Sequence, residues 1–266
     1  MKVLQILPQL NIGGVERGTL DLSKALIHKG HESFVISGGG ILVDELEQLG
    51  AKHYEIPVHI KSLRTLSLAK SLSETISSID PDIVHIRSRM PAWVNYRAFK
   101  MLQKKPLLVS TFHGLYSFPI YSKVMSFVDH SIAISKTVES YILENYKLDK
   151  NDITVIPRGC DPVEFNNDEI NPDDKAEIIN EFPQIVGKTV LTIPGRITKW
   201  KGVAEFIELL SLLDDNYHGL IVGPTAKSKK KYLNKLQNKV SSLDLENKIT
   251  FTGSRRDIAN IYKISD

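Results

Sequence analysis

The sequence predicts an α/β protein in which parallel sheets are covered by helices. Two observations carry this. Short apolar runs alternate with amphipathic stretches along most of the 266 residues, and glycine-bearing loops follow several of those runs. Alternation of this kind is the pattern of strand–helix–strand crossovers, which bury a parallel sheet on both faces.

In chain order, the apolar runs predict strands over 3–7, 34–37, 53–56, 83–86, 107–111, 131–134 and 154–156. Amphipathic periodicity predicts helices over 15–29, 63–79, 92–103 and 137–145. Gly30, and Gly50 after the segment 42–49, supply helix stops, because glycine accepts the left-handed conformation that follows a helix end. Pro81 and Pro106 stand just before strands, where the preceding residue is biased away from helix. The rhythm then breaks. Residues 166–186 are polar and acidic and read as a linker with one short helix, separating a first unit (1–165) from a second (187–266). The second unit shows strands at 190–193, 219–222 and 249–252, with helices at 203–213 and 232–241. It ends in a helix-like segment, 257–264. A free-standing doubly wound unit usually has about five or six strands, so an incomplete second unit is expected.

Composition narrows the function classes. A hydrophobic content of 42% with 24% charged residues fits a globular protein rather than a disordered one. A net charge of +3 is too mild to argue for nucleic acid, and neither zinc-finger spacing nor an RNA-binding aromatic motif occurs. The single cysteine, Cys160, rules out an internal disulfide or a cysteine-based zinc site. No run approaches the roughly 18 apolar residues of a spanning helix, so a cytoplasmic protein is expected. The lysine-rich run 227–231 reads as a solvated helix face, with peripheral contact to anionic lipid at the inner face of the membrane as the alternative.

The most informative stretch is Pro194-Gly195-Arg196-Ile197-Thr198-Lys199-Trp200-Lys201-Gly202, between an apolar run and a helical pattern. Helix N-termini carry unpaired backbone N–H groups and a favourable dipole for anions. Arg196 and Lys201 add two cations at the same corner, and a charge-assisted hydrogen bond to phosphate is worth roughly 1.5–3 kcal/mol. Spacing alone leaves open two solvated loop cations. Gly13-Gly14-Val15-Glu16-Arg17 follows the first strand, where glycines permit close approach of a ligand or simply a tight turn. It is not the Gly-x-Gly-x-x-Gly fingerprint, and the second strand ends at Ser37-Gly38 without an acidic residue for a ribose, which argues against a dinucleotide enzyme. His113, in Thr111-Phe112-His113-Gly114, stands at the carboxyl end of a strand; His85 and His31 read as structural. Arg87, Ser88 and Arg89 also follow a strand and suit an anionic acceptor or surface ion pairs equally well. Asp80-Pro81-Asp82 has the Asp-x-Asp form of a metal site but precedes its strand, so it reads as a turn; no metal and no cofactor are expected.

Gly-Arg-x-x-x-x-Lys-Gly after a strand resembles the donor-binding signature of retaining family 4 glycosyltransferases, which have the GT-B architecture of two Rossmann-like domains. The opening Gly-Gly-x-Glu-Arg, Thr-Phe-His-Gly and Pro157-Arg158-Gly159-Cys160-Asp161 are similar to further family motifs in the same order. The resemblance implies a first domain that binds an acceptor and a second, truncated one that binds a nucleoside-diphosphate-sugar as co-substrate, with transfer in the cleft. It assigns Gly13, Gly14, Gly195, Arg196 and Lys201 to the donor and makes His113, Arg196 and Lys201 catalytic. Arg196 and Lys201 would stabilise the leaving diphosphate without a metal, while His113 would hold the sugar. Glu16, Arg87, Ser88 and Arg89 fall on the acceptor side, and the segment 82–93 resembles members that build surface polysaccharide or lipopolysaccharide. The paired glutamates of an acidic Glu-x7-Glu segment would lie beyond Asp266. A noncatalytic remnant that binds a glycan or a partner, and a nucleotide-sugar epimerase, are the alternatives.

Overall fold

The structure is a computed structural model that describes residues 1–60, 67–117, 119–166 and 168–266. The chain divides into two units, Met1–Gly159 and Cys160–Asp266.

In the first unit the elements run β1 (Lys2–Ile6), α1 (Gly14–His28), β2 (Glu32–Ser37), α2 (Val43–Gln48), β3 (Lys52–Glu55), α3 (Ala69–Ile79), β4 (Ile83–Ile86), α4 (Arg89–Phe99), β5 (Leu107–Phe112), α5 (Pro119–Ser122), β6 (His130–Ala133), α6 (Lys136–Tyr146) and β7 (Ile153–Val155). All seven strands pair in parallel in the order β3-β2-β1-β4-β5-β6-β7. Strand residues alternate between two cores, as the period of two requires. Leu4, Ile6, Phe34 and Ile36 pack with Leu72, Ile76, Val94 and Ile142. Val35 packs with Leu20 of α1 and Leu46 of α2 in a separate core. Gln5 alternates with Leu4 and Ile6 and meets α1, where its amide donates to Thr19 O (3.1 Å) and Ser23 Oγ (3.0 Å).

The expected α/β class is the observed one, with small shifts at element ends. Helix α4 starts at Arg89 and stops at Phe99, ahead of the expected 92–103. Pro91 sits in its first turn, where a missing N–H removes no helix bond. Gly30 ends α1 at φ 76°, as a glycine stop should. The helix expected from residue 63 is seen as α3 from Ala69, and residues 61–66 lie outside the described residues.

The second unit runs α7 (Pro172–Glu181), β8 (Thr189–Pro194), α8 (Val203–Leu212), β9 (Tyr217–Val222), α9 (Lys230–Ser242), β10 (Ile249–Gly253) and α10 (Ile258–Lys263). Its three strands are parallel in the order β10-β9-β8. Ile221 meets Ile207 and Leu210 of α8 and Leu236 of α9 on one face. Leu220 and Val222 meet Ile178 of α7 and Ile261 of α10 on the other.

The stretch 166–186 departs from a plain linker. Asn171 caps α7 by accepting from Asp173 N (2.9 Å), Pro172 occupies the first turn, and Ile178, Phe182 and Ile185 are buried in the second unit's core. Spacings of four and three place those apolar residues on one side of the segment, so a mostly polar stretch still anchors itself. Phe182→Ala is expected to cost about 3–5 kcal/mol in denaturant unfolding; a segment that merely linked two units would show a change of under about 0.5 kcal/mol.

Candidate functional site

A parallel sheet whose chain order reverses at one point opens a crevice at the carboxyl ends of its strands, because the loops on either side of the reversal leave in opposite directions. In the first unit that point lies between β1 and β4, which pair directly although β2 and β3 intervene in sequence. The loop after β1 carries Gly13 and Gly14, Arg87 and Ser88 follow β4, and His113 follows β5. The segment leaving β7 adds Arg158, whose guanidinium donates to the carbonyl of Gly14 and to His113 Nδ1 (2.8 Å).

Arg87 is 6% exposed and donates through Nη1 to Gln5 Oε1 (2.9 Å). Gln5 is in turn held by α1, so strand and helix together aim this cation. Burial, reinforced by the nearby Arg158 charge, lowers the Arg87 pKa to about 10, still well above neutrality. Its Nε is buried and unpaired among the described residues. Gly18 makes room for it, since a Cβ there would stand 3.2 Å from Arg87 Nη2.

His113 is neutral. Burial first, then the charges of Arg87 and Arg158, push its pKa down to about 3. An arginine can only donate, so Nδ1 accepts and the ring proton resides on Nε2. That Nε2–H is also buried and unpaired among the described residues.

Other residues read from the sequence are placed differently. Ser88 is the N-cap residue of α4, yet its hydroxyl makes no cap bond. Arg89, one residue on, turns away: its guanidinium lies over the rings of Tyr116 (4.8 Å) and Tyr121 (5.5 Å) and reaches Ser122 Oγ at 3.4 Å. Glu16 sits in the first turn of α1, with its carboxylate folded back over Gly13. His85 bonds Thr111 Oγ1 (2.7 Å) inside the sheet, and burial pushes its pKa well below the usual value. Asp80 pairs with Lys104 (2.7 Å) and Asp82 accepts from Lys2 N (2.7 Å), at the opposite edge of the sheet from the crevice. Among the described residues no group of three His, Cys, Asp or Glu is spaced to hold a metal ion, and no helix is long and apolar enough to cross a membrane.

In the second unit, β8 ends at Pro194 and the loop to α8 begins at Gly195, φ 139°. The stem of Lys201 lies over this glycine: a Cβ there would come within 3.1 Å of Lys201 Cε. Ile197 is buried and its N–H bonds Pro224 O (3.1 Å), which anchors the loop beneath Arg196. Arg196 and Lys201 are exposed and make no ion pair or hydrogen bond among the described residues. Gly202, φ 71°, is the N-cap of α8. Trp200 projects outward at 95% exposure. Gly223, φ 147°, backs the loop from β9; a Cβ there would lie 2.1 Å from the carbonyl oxygen of Gly195. Sequence reading missed Arg158 and Gly223 as site residues, although Gly-Pro directly after the β9 run was a usable signal for the second.

Fold and site thus define an α/β protein whose glycine- and cation-bearing loops lie at the carboxyl edge of each sheet. Residues 12–164 match the family described as Glycosyltransferase Family 4, and residues 174–266 match Glycosyl transferases group 1. The chain belongs to this glycosyltransferase family. A crystal structure of a glycosyltransferase from Rickettsia africae superposes with a TM-score of 0.84 and 34% identity, covering 100% of this chain and 71% of that one. The Anabaena protein HepE, crystallised with UDP-glucose, shares the fold at 20% identity and a TM-score of 0.84, covering 100% and 72%. Among curated proteins, an uncharacterized glycosyltransferase of Methanocaldococcus jannaschii is 32% identical over 148 residues, 49% of this chain and 36% of its own. One human phosphatidylinositol N-acetylglucosaminyltransferase subunit is 25% identical over 187 residues, 64% and 38% respectively. The matches therefore span little more than a third of either curated relative.

Two outcomes follow from the geometry. The backbone contact at Gly223 makes Gly223→Ala destabilising by at least about 1–3 kcal/mol, measured by chemical denaturation. The depressed pKa of His113 means that the unfolded chain takes up a proton below pH 6.5 which the folded ring refuses. Its contribution to stability is complete above that pH and is lost as pH falls toward 3. Paired unfolding curves at pH 7 and pH 5 should show a smaller loss for His113→Gln than for the parent.

Proposed function

We propose that the protein is a retaining glycosyltransferase that moves a sugar from a nucleoside-diphosphate-sugar to an acceptor hydroxyl. The observation that carries this is the β8–α8 loop: two cations without partners among the described residues, Arg196 and Lys201, stand beside a helix N-terminus at the carboxyl edge of the sheet. Such a corner suits a diphosphate, in the substrate and more so in the leaving group, where negative charge grows. Gly195 lets Lys201 lie across the loop. On the first unit the turn at Gly13 and Gly14, packed by Glu16 and Arg158, would face the donor, and His113 offers a donor N–H to the sugar.

The state of His113 accords with retention. Inversion calls for a base poised to take the acceptor proton. The one lone pair of this imidazole is occupied by Arg158, and the ring presents only N–H. In a retaining, front-face reaction the acceptor proton passes to the departing diphosphate, and no such base is required of the protein.

Arg87, with its Nε unpaired among the described residues, and the Ser88 hydroxyl, which makes no cap bond, suit an acceptor bearing an anionic group. Arg89 would then act through its tyrosine contacts, and Glu16 by shaping the β1–α1 turn. A glycan or glycolipid acceptor of the surface-polysaccharide or lipopolysaccharide type, at the inner face of the cell membrane, fits that reading. The human relative's name specifies a phospholipid acceptor for that protein.

Arg196→Ala and Lys201→Ala should each weaken nucleoside diphosphate binding by about 10- to 150-fold in titration calorimetry, the equivalent of one charge-assisted bond of roughly 1.5–3 kcal/mol. Unchanged affinity and turnover in both would reject the clamp. Proton NMR of the product should show the anomeric configuration of the donor, and an inverted product would reject the mechanism.

A further inference from the structure

We infer that Arg158 is a positioning residue that fixes the tautomer of His113 and ties it to the loop after β1. The inference rests on the reading of His113 given above and concerns a residue that touches no reacting atom. Three observations converge on it. One guanidinium bonds both Gly14 O and His113 Nδ1, so residues following β1, β5 and β7 are held by a single planar group. The far side of the same ring, Nε2, is buried and unpaired among the described residues. Gly14 is the residue that admits Arg158, because a Cβ there would stand 2.9 Å from its Nη1.

The chemistry is one of direction. A free neutral imidazole exchanges between two tautomers, and only one presents a donor at Nε2. A guanidinium at Nδ1 has no lone pair to offer, so the tautomer with hydrogen on Nδ1 is excluded and Nε2 is always the donor. Burial is the main force opposing protonation of the ring, followed by the Arg87 charge, and the Arg158 charge adds to both. His113 is thereby held near neutral pH as a single-proton donor through Nε2, the ring nitrogen away from Arg158. Lysine in place of Arg158 could bond one partner but would lack the planar fork that spans both.

The test is nitrogen-15 NMR of the histidine-labelled protein, with His113 assigned by comparison with His113→Gln. The parent should show protonated Nε2 and an unprotonated Nδ1 that does not titrate between pH 5 and 8. Arg158→Met, at an exposed position, should shift the ring to a tautomer mixture and raise its titration midpoint toward the ordinary histidine value. Arg158→Lys should hold the midpoint closer to that of the parent while still mixing the tautomers. A ring whose tautomer and midpoint are the same in all three proteins would overturn the inference. Kinetics separate the two claims. Arg158→Met should lower kcat by at least 10-fold while the KM of the donor changes less than 3-fold, and Arg158→Lys should recover part of that loss. A tautomer shift with unchanged kcat would also overturn the positioning role. If His113→Gln itself turns over normally while the tautomer still depends on Arg158, the sugar-holding reading of His113 fails and the control of its tautomer stands.

Discussion

The pairing of β1 with β4 is the constraint on which the first unit depends. Because β2 and β3 lie to one side and β5 to β7 to the other, the loop after β1 and the loop after β4 diverge over the same sheet edge. Three candidate groups of this unit stand about that divergence: Gly14 on one side, Arg87 and His113 on the other. The buried amide of Gln5 links the two, since it is held by α1 and accepts from Arg87. A side chain in the middle of a strand thus transmits the position of α1 to a cation at the strand's end.

Holding that cation has an electrostatic consequence. Arg87 is buried beside a second guanidinium, and both repel a proton on His113. Two cations close together in a partly desolvated place raise the energy of the empty site and favour any anion that enters. Asp21 and Glu16 offset part of the charge from α1. Two buried polar atoms without partners among the described residues, Arg87 Nε and His113 Nε2, collect at the same place.

Much of this was legible in the sequence, for local reasons. Strands and helices followed from periodicity, and Arg87, His113 and the Gly195–Lys201 loop stood out because each directly follows an apolar run. What escaped depended on distance along the chain. Arg158 follows β7 in a segment without periodicity, and its partners are 144 and 45 residues away. Gly223 is required by the carbonyl of Gly195, a contact between two loops that no single window contains. Arg89 was grouped with Arg87 and Ser88 by adjacency, but α4 begins there, and a helical turn carries its side chain to the tyrosines. The anchors of α7 were countable at spacings of four and three; the surrounding acidic residues hid them.

The cations of the two units differ in how they are held, and the difference bears on binding. Arg87, Arg89 and Arg158 are each committed to a side chain or backbone partner, so little rotamer freedom remains for a ligand to remove. Arg196 and Lys201 are exposed and have no partner among the described residues, and freezing such side chains costs about 1.5–2 kcal/mol each. Gly195 reduces this cost for Lys201, because the absence of a Cβ lets the aliphatic stem rest on the backbone and carry the ammonium across the loop. Ile197 does the same for the backbone under Arg196, through its burial and its bond to Pro224. The β8–α8 loop is therefore anchored at its base and carries its charges at exposed tips. Under the proposed reading, that combination would let a diphosphate be recognised by charge without the loop having to fold around it.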